Sequence, residues 1–169
     1  MTGILFLDLS KHVGWAFGGS ADVVPLWGCV ELPEKGGYGH VFNALQNGLE
    51  DLLEALQPAR VGIEDIISQR MNSAYTARLT NGIHAIADLV CYQHEITPER
   101  VGVDKIRTAV IGRARLTKLE MAAKPKLTVK TQIVAPWIEA WGWGSIADHN
   151  ARDAAVGLAY LTGVRSGKR

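Results

Sequence analysis

The chain has almost no cysteine. Cys29 and Cys91 are its two, and they form no Cys-x-x-Cys pair. That excludes a disulfide framework and a thiolate zinc site, and fits reduced thiols inside a cell. Long apolar runs are missing too: the N-terminal stretch Ile4 to Leu7 ends at Asp8, far short of a signal peptide or a membrane span. The expectation is a soluble cytoplasmic protein with no membrane partner. Internal repeats and low-complexity tracts are absent. Net charge is only +1, so the overall balance points to no polyanionic partner.

What is present suffices for a core. Hydrophobic residues make up 47% of the chain, which argues against disorder. A length of 169 residues suits one compact domain over 1–169. Charge is unevenly spread. Arg100, Lys105, Arg107, Arg113, Arg115, Lys118, Lys124, Lys126 and Lys130 face only Asp104 and Glu120 in the same stretch, and Arg165, Lys168 and Arg169 form a second basic cluster. Such segregation suits a phosphate-binding face as well as it suits a solvated surface.

Ile4 to Leu7 reads as a buried strand running into Asp8. Val13 to Phe17 is a second strand after a tight turn. Val23 to Leu32 is a third, broken by Pro25 and Gly28, and the three make an antiparallel meander. Val41, Leu45, Leu49, Leu52, Leu53 and Leu56 recur at helical spacing until Pro58. Arg60 to Glu64 is a short strand ending on a carboxylate. Ser73 to about Glu95 reads as an amphipathic helix capped by Asn72 or Ser73. Val101 to Val103 is the last candidate strand. Lys105 to Lys126 reads as a basic connector, the least rigid segment. Thr128 to Trp141 reads as a helix interrupted by Pro136, and Asp148 to Thr162 as the final helix. This order predicts an α/β layered domain with a mixed sheet.

Three acids stand out. Asp8 and Glu64 end strands, so neighbouring strands would project them from one edge. Asp153 lies among Ala151, Ala154, Ala155 and Val156, where a carboxylate is expensive to bury without a partner. Acids that converge need a cation, and hard oxygen donors suit Mg²⁺ or Mn²⁺. Two such ions roughly 3.5–4 Å apart can drive phosphodiester hydrolysis. Asp8 also fits plain turn chemistry, and Glu64, beside Asp65, fits a solvated surface. A fourth ligand is expected one turn before Asp153. His149 and Asn150 share its helix face, whereas Asp148 lies off that face and is also a natural N-cap. Imidazole makes His149 the first choice.

The motifs together resemble RuvC-type Holliday junction resolvases of the ribonuclease H-like superfamily, above all their phage branch. The opening Ile4-Leu-Phe-Leu-Asp8, followed by Gly14-Trp15-Ala16, is similar to theirs. So are Val61-Gly-Ile-Glu64 and the helix Asp148-His-Asn150-Ala-Arg-Asp153-Ala154. Asn72, Arg78, Leu79 and Gly82 fall where the phage proteins carry comparable residues. Lys130-Thr-Gln132-Ile-Val134 resembles the family's Lys-x-Gln-Val segment, whose lysine lies at the active site; Lys126 is the alternative.

The resemblance implies a ribonuclease H-like five-stranded mixed sheet, with three antiparallel strands first and helices on its flanks. It implies a homodimer in a bacterial or phage-infected cell that cuts branched DNA symmetrically. Asp8, Glu64 and Asp153 would hold two Mg²⁺ or Mn²⁺ ions, with His149 or Asp148 adding a ligand, and Lys130 would touch the scissile phosphate. Arg70, Asn72, Arg78, Arg113, Arg115 and Lys118 are the candidate DNA contacts. Three departures are visible. Leu9-Ser10 follows Asp8 in place of Pro-Gly or Leu-Gly, Ile66 and Ile67 stand where some members carry an aromatic wedge, and His149-Asn150 stand where a second acid is common. The wedge's loss leaves Arg70, Met71 or nothing comparable to meet the junction centre.

Other readings stay open. A non-catalytic branched-DNA-binding protein on the same fold fits His149 and Asn150. A kinase-like ATP-binding fragment would need a second domain and phosphate loop for which 169 residues leave no room. Gly14, Gly18 and Gly19 lack P-loop spacing. Trp137, Trp141 and Trp143 would serve as stacking rings or, more simply, as packing.

Overall fold

Alternation in the first strand divides the interior into two cores. β1 spans Ile4–Asp8. Leu5 and Leu7 face one side of the sheet, among Val13, Leu45, Leu49, Val61 and Ile63. Ile4 and Phe6 face the other, among Ala16, Val101, Ile106, Ala154 and Leu158. Successive strand residues point to opposite faces, so one short apolar strand feeds both layers. The computed structural model describes residues 3–19, 24–65, 73–122, 134–144 and 146–163.

β2 (His12–Gly18), β3 (Leu26–Glu31), β4 (Arg60–Glu64) and β5 (Glu99–Val101) complete a five-stranded sheet of order β3-β2-β1-β4-β5. β1 pairs antiparallel with β2, and β2 with β3. β1–β4 and β4–β5 are parallel. This is the expected mixed sheet with three antiparallel strands first.

α1 (Tyr38–Leu56) and α2 (Ala74–Gln93) cover the first face. α1 buries Val41, Leu45, Leu49 and Leu53, each contributing about 1.5–3 kcal/mol when fully removed from water. Ser73 caps α2 by accepting from the Thr76 amide. The second face carries α3 (Val103–Ile111), α5 (Ala135–Ala140) and α6 (His149–Leu161). α4 (Lys118–Ala122) buries no residue.

Four expectations change. The connector predicted from Lys105 contains a real helix, α3, whose Val103, Ile106, Val110 and Ile111 are buried; Lys105 and Arg107 hide that stripe by sitting between its apolar positions. The last strand lies two residues earlier than Val101–Val103, because Gly102 serves as N-cap of α3 and Val103 starts the helix. Pro25 precedes β3 instead of breaking it. Pro136 lies in the first turn of α5, where proline costs no hydrogen bond; residues 128–133 of the predicted helix lie outside the described residues. No helix among the described residues is long and apolar enough to cross a membrane.

Candidate active site at the sheet edge

Strand register brings two of the acids side by side. Leu7 pairs with Ile63 across the parallel β1–β4 ladder. Asp8 and Glu64 follow them on strands about 4.8 Å apart. Asp8 has the parity of Phe6, and Glu64 that of Gly62, a glycine whose missing Cβ leaves space for Leu161 and Phe6. Both acids therefore face α6.

The docking of α6 delivers the third acid. Asp8 pairs with Gly14 on β2. Gly14 lies directly under the first turn of α6, where a Cβ would run into the Asn150 carbonyl. Farther along, Gly157 sits on the Phe6 ring, again with no room for a Cβ. One helical turn of about 6 Å separates Gly157 from Asp153, and two strand residues, about 6.6 Å, separate Phe6 from Asp8. Helix and strand advance in step, so Asp153 stands over the edge that bears Asp8 and Glu64.

Asp153 is only 6% exposed. Arg107 of α3 donates to its Oδ1 at 3.1 Å. None of Asp8, Glu64 and Asp153 lacks a polar partner. Asn150, also 6% exposed, shares the buried face with Asp153, whereas His149 is exposed. Asp148 acts as the N-cap, its Oδ1 accepting from the amides of Asn150 and Ala151 at 2.9 and 2.7 Å. Arg152 braces the approach by donating to the Ile146 and Ala147 carbonyls.

The edge is electronegative. Cys29 pairs with Gly14 and so lies in the same row as Asp8. Burial, then the charges of Asp148, Glu31 and Asp8, push its thiol up to about 12. The carboxylates that add to burial there, unlike burial itself, favour a cation. The donors match a hard divalent ion in chemistry and in edge. Still, among the described residues no three His, Cys, Asp or Glu side chains are gathered closely enough to enclose one ion, and the Asp153 carboxylate is turned to Arg107.

The remaining candidates scatter more widely. Lys130, Lys126, Arg70, Met71 and Asn72 lie outside the described residues. Arg78 on α2 lies over the Tyr38 ring, 5.8 Å from its centre. Arg113 forms a bidentate pair with Glu120, Arg115 pairs with Asp104, and Lys118 is exposed at the start of α4. Arg113, with two Thr117 contacts, holds the Glu120 carboxyl down at about 2. Trp143 is buried, and Trp137 and Trp141 pack against the same core, which favours packing over base stacking. Gly14 and Gly18 are strand residues, not a phosphate loop. Arg107 was missed by sequence reasoning. Its signal was present: it lies four residues after Val103 and three before Val110, a cation on an apolar helix stripe.

The same architecture occurs in solved structures. Thermus thermophilus RuvC in complex with a Holliday junction substrate superimposes with a TM-score of 0.72 at 14% identity, covering 96% of this chain and 96% of that one. Another T. thermophilus RuvC structure gives 0.69 at 15% identity, over 96% and 98% of the two chains. Ydc2, the yeast mitochondrial Holliday junction resolvase, gives 0.60 at 14% identity, over 94% and 77%. No protein-family model matches the chain, and no characterised protein sequence matches it. The fold is therefore of the ribonuclease H-like class. Within that class it is the fold of the RuvC-type Holliday junction resolvases.

Proposed function

We propose that this chain is a divalent-cation-dependent endonuclease that hydrolyses phosphodiester bonds in branched DNA, four-way junctions foremost. One juxtaposition carries the reading. Asp8 and Glu64 each follow the last paired residues, Leu7 and Ile63, of adjacent parallel strands, and the helix packed over them brings the buried Asp153 to the same edge. The shared fold with a RuvC seen on a Holliday junction supports the choice of substrate.

Asp8 and Glu64 would hold Mg²⁺ or Mn²⁺ from the strands, and Asp153 from the helix once it exchanges Arg107 for the cation. Bound ions would supply an activated water and stabilise the departing 3′ oxygen. The Asn150 amide oxygen is the better-placed fourth ligand, since it shares the buried face while His149 is exposed and Asp148 is engaged in capping. Lys130 would touch the scissile phosphate as a point charge. Symmetric cutting of a four-way junction needs two such sites, hence a homodimer.

Asp8→Asn or Glu64→Gln should abolish Mg²⁺- or Mn²⁺-dependent cutting of a synthetic four-way junction while leaving binding measurable. Cleavage retained by either variant rules the reading out. A catalytically weak branched-DNA binder is the second reading, favoured by the Arg107–Asp153 pair and by Asn150 in place of an acid. Junction binding with no nicking at any Mg²⁺ or Mn²⁺ concentration would select it.

A further inference from the structure

The β1–β2 turn sets a histidine beside the acids. His12 opens β2 and pairs with Glu31 at the end of β3, two residues beyond the Gly14–Cys29 pair. Gly14 faces α6 and stands opposite Asp8. Strand alternation therefore turns His12, Glu31 and Asp8 to the same side of the sheet. One strand over and two residues on, the His12 and Asp8 Cα atoms lie roughly 8 Å apart, a span that two side chains can share on one phosphate. β4 flanks β1 on its other side, so His12 and Glu64 stand on either side of Asp8.

The ring is held at one nitrogen only. Its Nδ1 lies 2.6 Å from Glu31 Oε2. A carboxylate accepts, so the proton of this bond sits on Nδ1, and Nε2 is the position left for exchange. The Cys29 thiol donates to the same carboxylate. Ser10 fixes the turn, accepting from the His12 amide at 3.2 Å and donating to its carbonyl at 2.7 Å. The other charges at this corner are Asp8 on β1, Asp148 at the head of α6, and Lys11, which is turned to Glu34 at 3.9 Å. The His12 side chain is 45% exposed. An imidazole anchored at Nδ1 by an acid and open at Nε2, beside a hydrolytic edge, is suited to passing a proton.

We propose that His12, oriented by Glu31, is the general acid that protonates the departing 3′ oxygen. This rests on the nuclease reading and adds a catalytic residue to it. The attacking water forms the new bond to phosphorus and gives its proton to solvent. The bond from phosphorus to the 3′ oxygen breaks, and its electron pair stays on that oxygen. Nε2 hands the oxygen a proton, and the ring, left neutral with its other proton on Nδ1, is recharged from solvent. Glu31 is a positioning residue.

The test is single-turnover cutting, with Mn²⁺, of a four-way junction whose scissile linkage carries either the natural 3′ oxygen or a bridging 3′ sulfur. A thiolate leaves without a proton, so the sulfur linkage has no use for the acid. His12→Ala should slow the oxygen-linked junction about a hundredfold, the lower end for a positioned acid, and leave the sulfur-linked one at the parent rate. Glu31→Gln should lose less on oxygen and nothing on sulfur. In the metal-free protein, long-range ¹H–¹⁵N NMR should find the neutral His12 ring protonated on Nδ1, and Glu31→Gln should mix the tautomers. Equal losses on both linkages would make the pair a strut between β2 and β3 and overturn the proposal. So would an unslowed His12→Ala, or a neutral ring protonated on Nε2. A parent protein that cuts neither junction is a different result: it removes the nuclease reading, and the acid with it.

Discussion

The Arg107 guanidinium meets the Asp153 carboxylate at 3.1 Å, with the two side chains only 11% and 5% exposed. In water such a pair contributes little; sealed from solvent, breaking it on one side is costly because a charge loses its compensation. On the proposed reading the pair also sets a competition, since a divalent cation at the sheet edge would have to win Asp153 from an arginine.

Arg107→Ala should therefore lower unfolding stability towards the low end of the roughly 3–5 kcal/mol typical of a broken buried pair, Asp153 keeping other partners. Millimolar Mg²⁺ should restore part of the loss, and should stabilise the variant more than the wild type. Urea denaturation with and without Mg²⁺ measures both. Identical midpoints for variant and wild type under both conditions would falsify the competition.

Gly14→Ala should impair catalysis more than folding. A methyl group there meets the Asn150 carbonyl and must lift the first turn of α6 away from Asp8. Overpacking of this kind costs about 1–3 kcal/mol, while a displacement of about 1 Å in a catalytic constellation can cost a hundredfold in rate. Thermal melts and single-turnover cleavage on one preparation separate the effects. A variant with wild-type rate would show that α6 docks independently of this contact.

His84 should make the protein acid-sensitive. It is buried on α2, and its Nδ1 lies 2.9 Å from the Arg100 guanidinium, which also binds Asp88. Burial, then the Arg100 charge, lowers its pKa from 6.5 to about 4, against the opposing pull of Asp88 and Asp65. The native state thus takes up its proton later than the unfolded chain does. Stability from neutral His84 is complete above pH 6.5 and is lost as pH falls towards about 4. Urea midpoints should decline across that window, and His84→Gln should flatten the decline. An imidazole NMR titration placing His84 near its ordinary value would contradict this.

Arg115 and Asp104 pair in the open, with side chains 84% and 53% exposed. Exposed pairs are weak enough for a phosphate to displace. If this surface meets DNA, Asp104→Asn should raise affinity at low salt, and Arg115→Ala should reduce the salt slope by about one. Gel-shift titrations over a salt series decide it; a flat response in both variants removes these residues from the interface.

The strand-borne half of the candidate site was legible in the chain itself. β1 and β4 are short apolar runs that each end on an acid, and a parallel pair carries both acids to one edge. The helical half was legible for Asp153, because a carboxylate among alanines has few explanations, but not for its neighbours. His149 and Asn150 both fall near Asp153 on a helical wheel, and only the docking of Gly14 against the first turn decides which of them is buried. α3 was illegible for another reason: its cations lie in the same turns as its apolar stripe, and charge count obscured periodicity.

Nine of the thirteen residues of α6 are buried, Asp153 among them. The helix that completes the acidic edge is thus also the lid on one of the two cores. A partly folded molecule in which the sheet has formed but α6 has not docked exposes Phe6 and Ala16 to water and holds two acids without the third. Edge and core are then completed together, and an immature chain carries only part of the acidic edge.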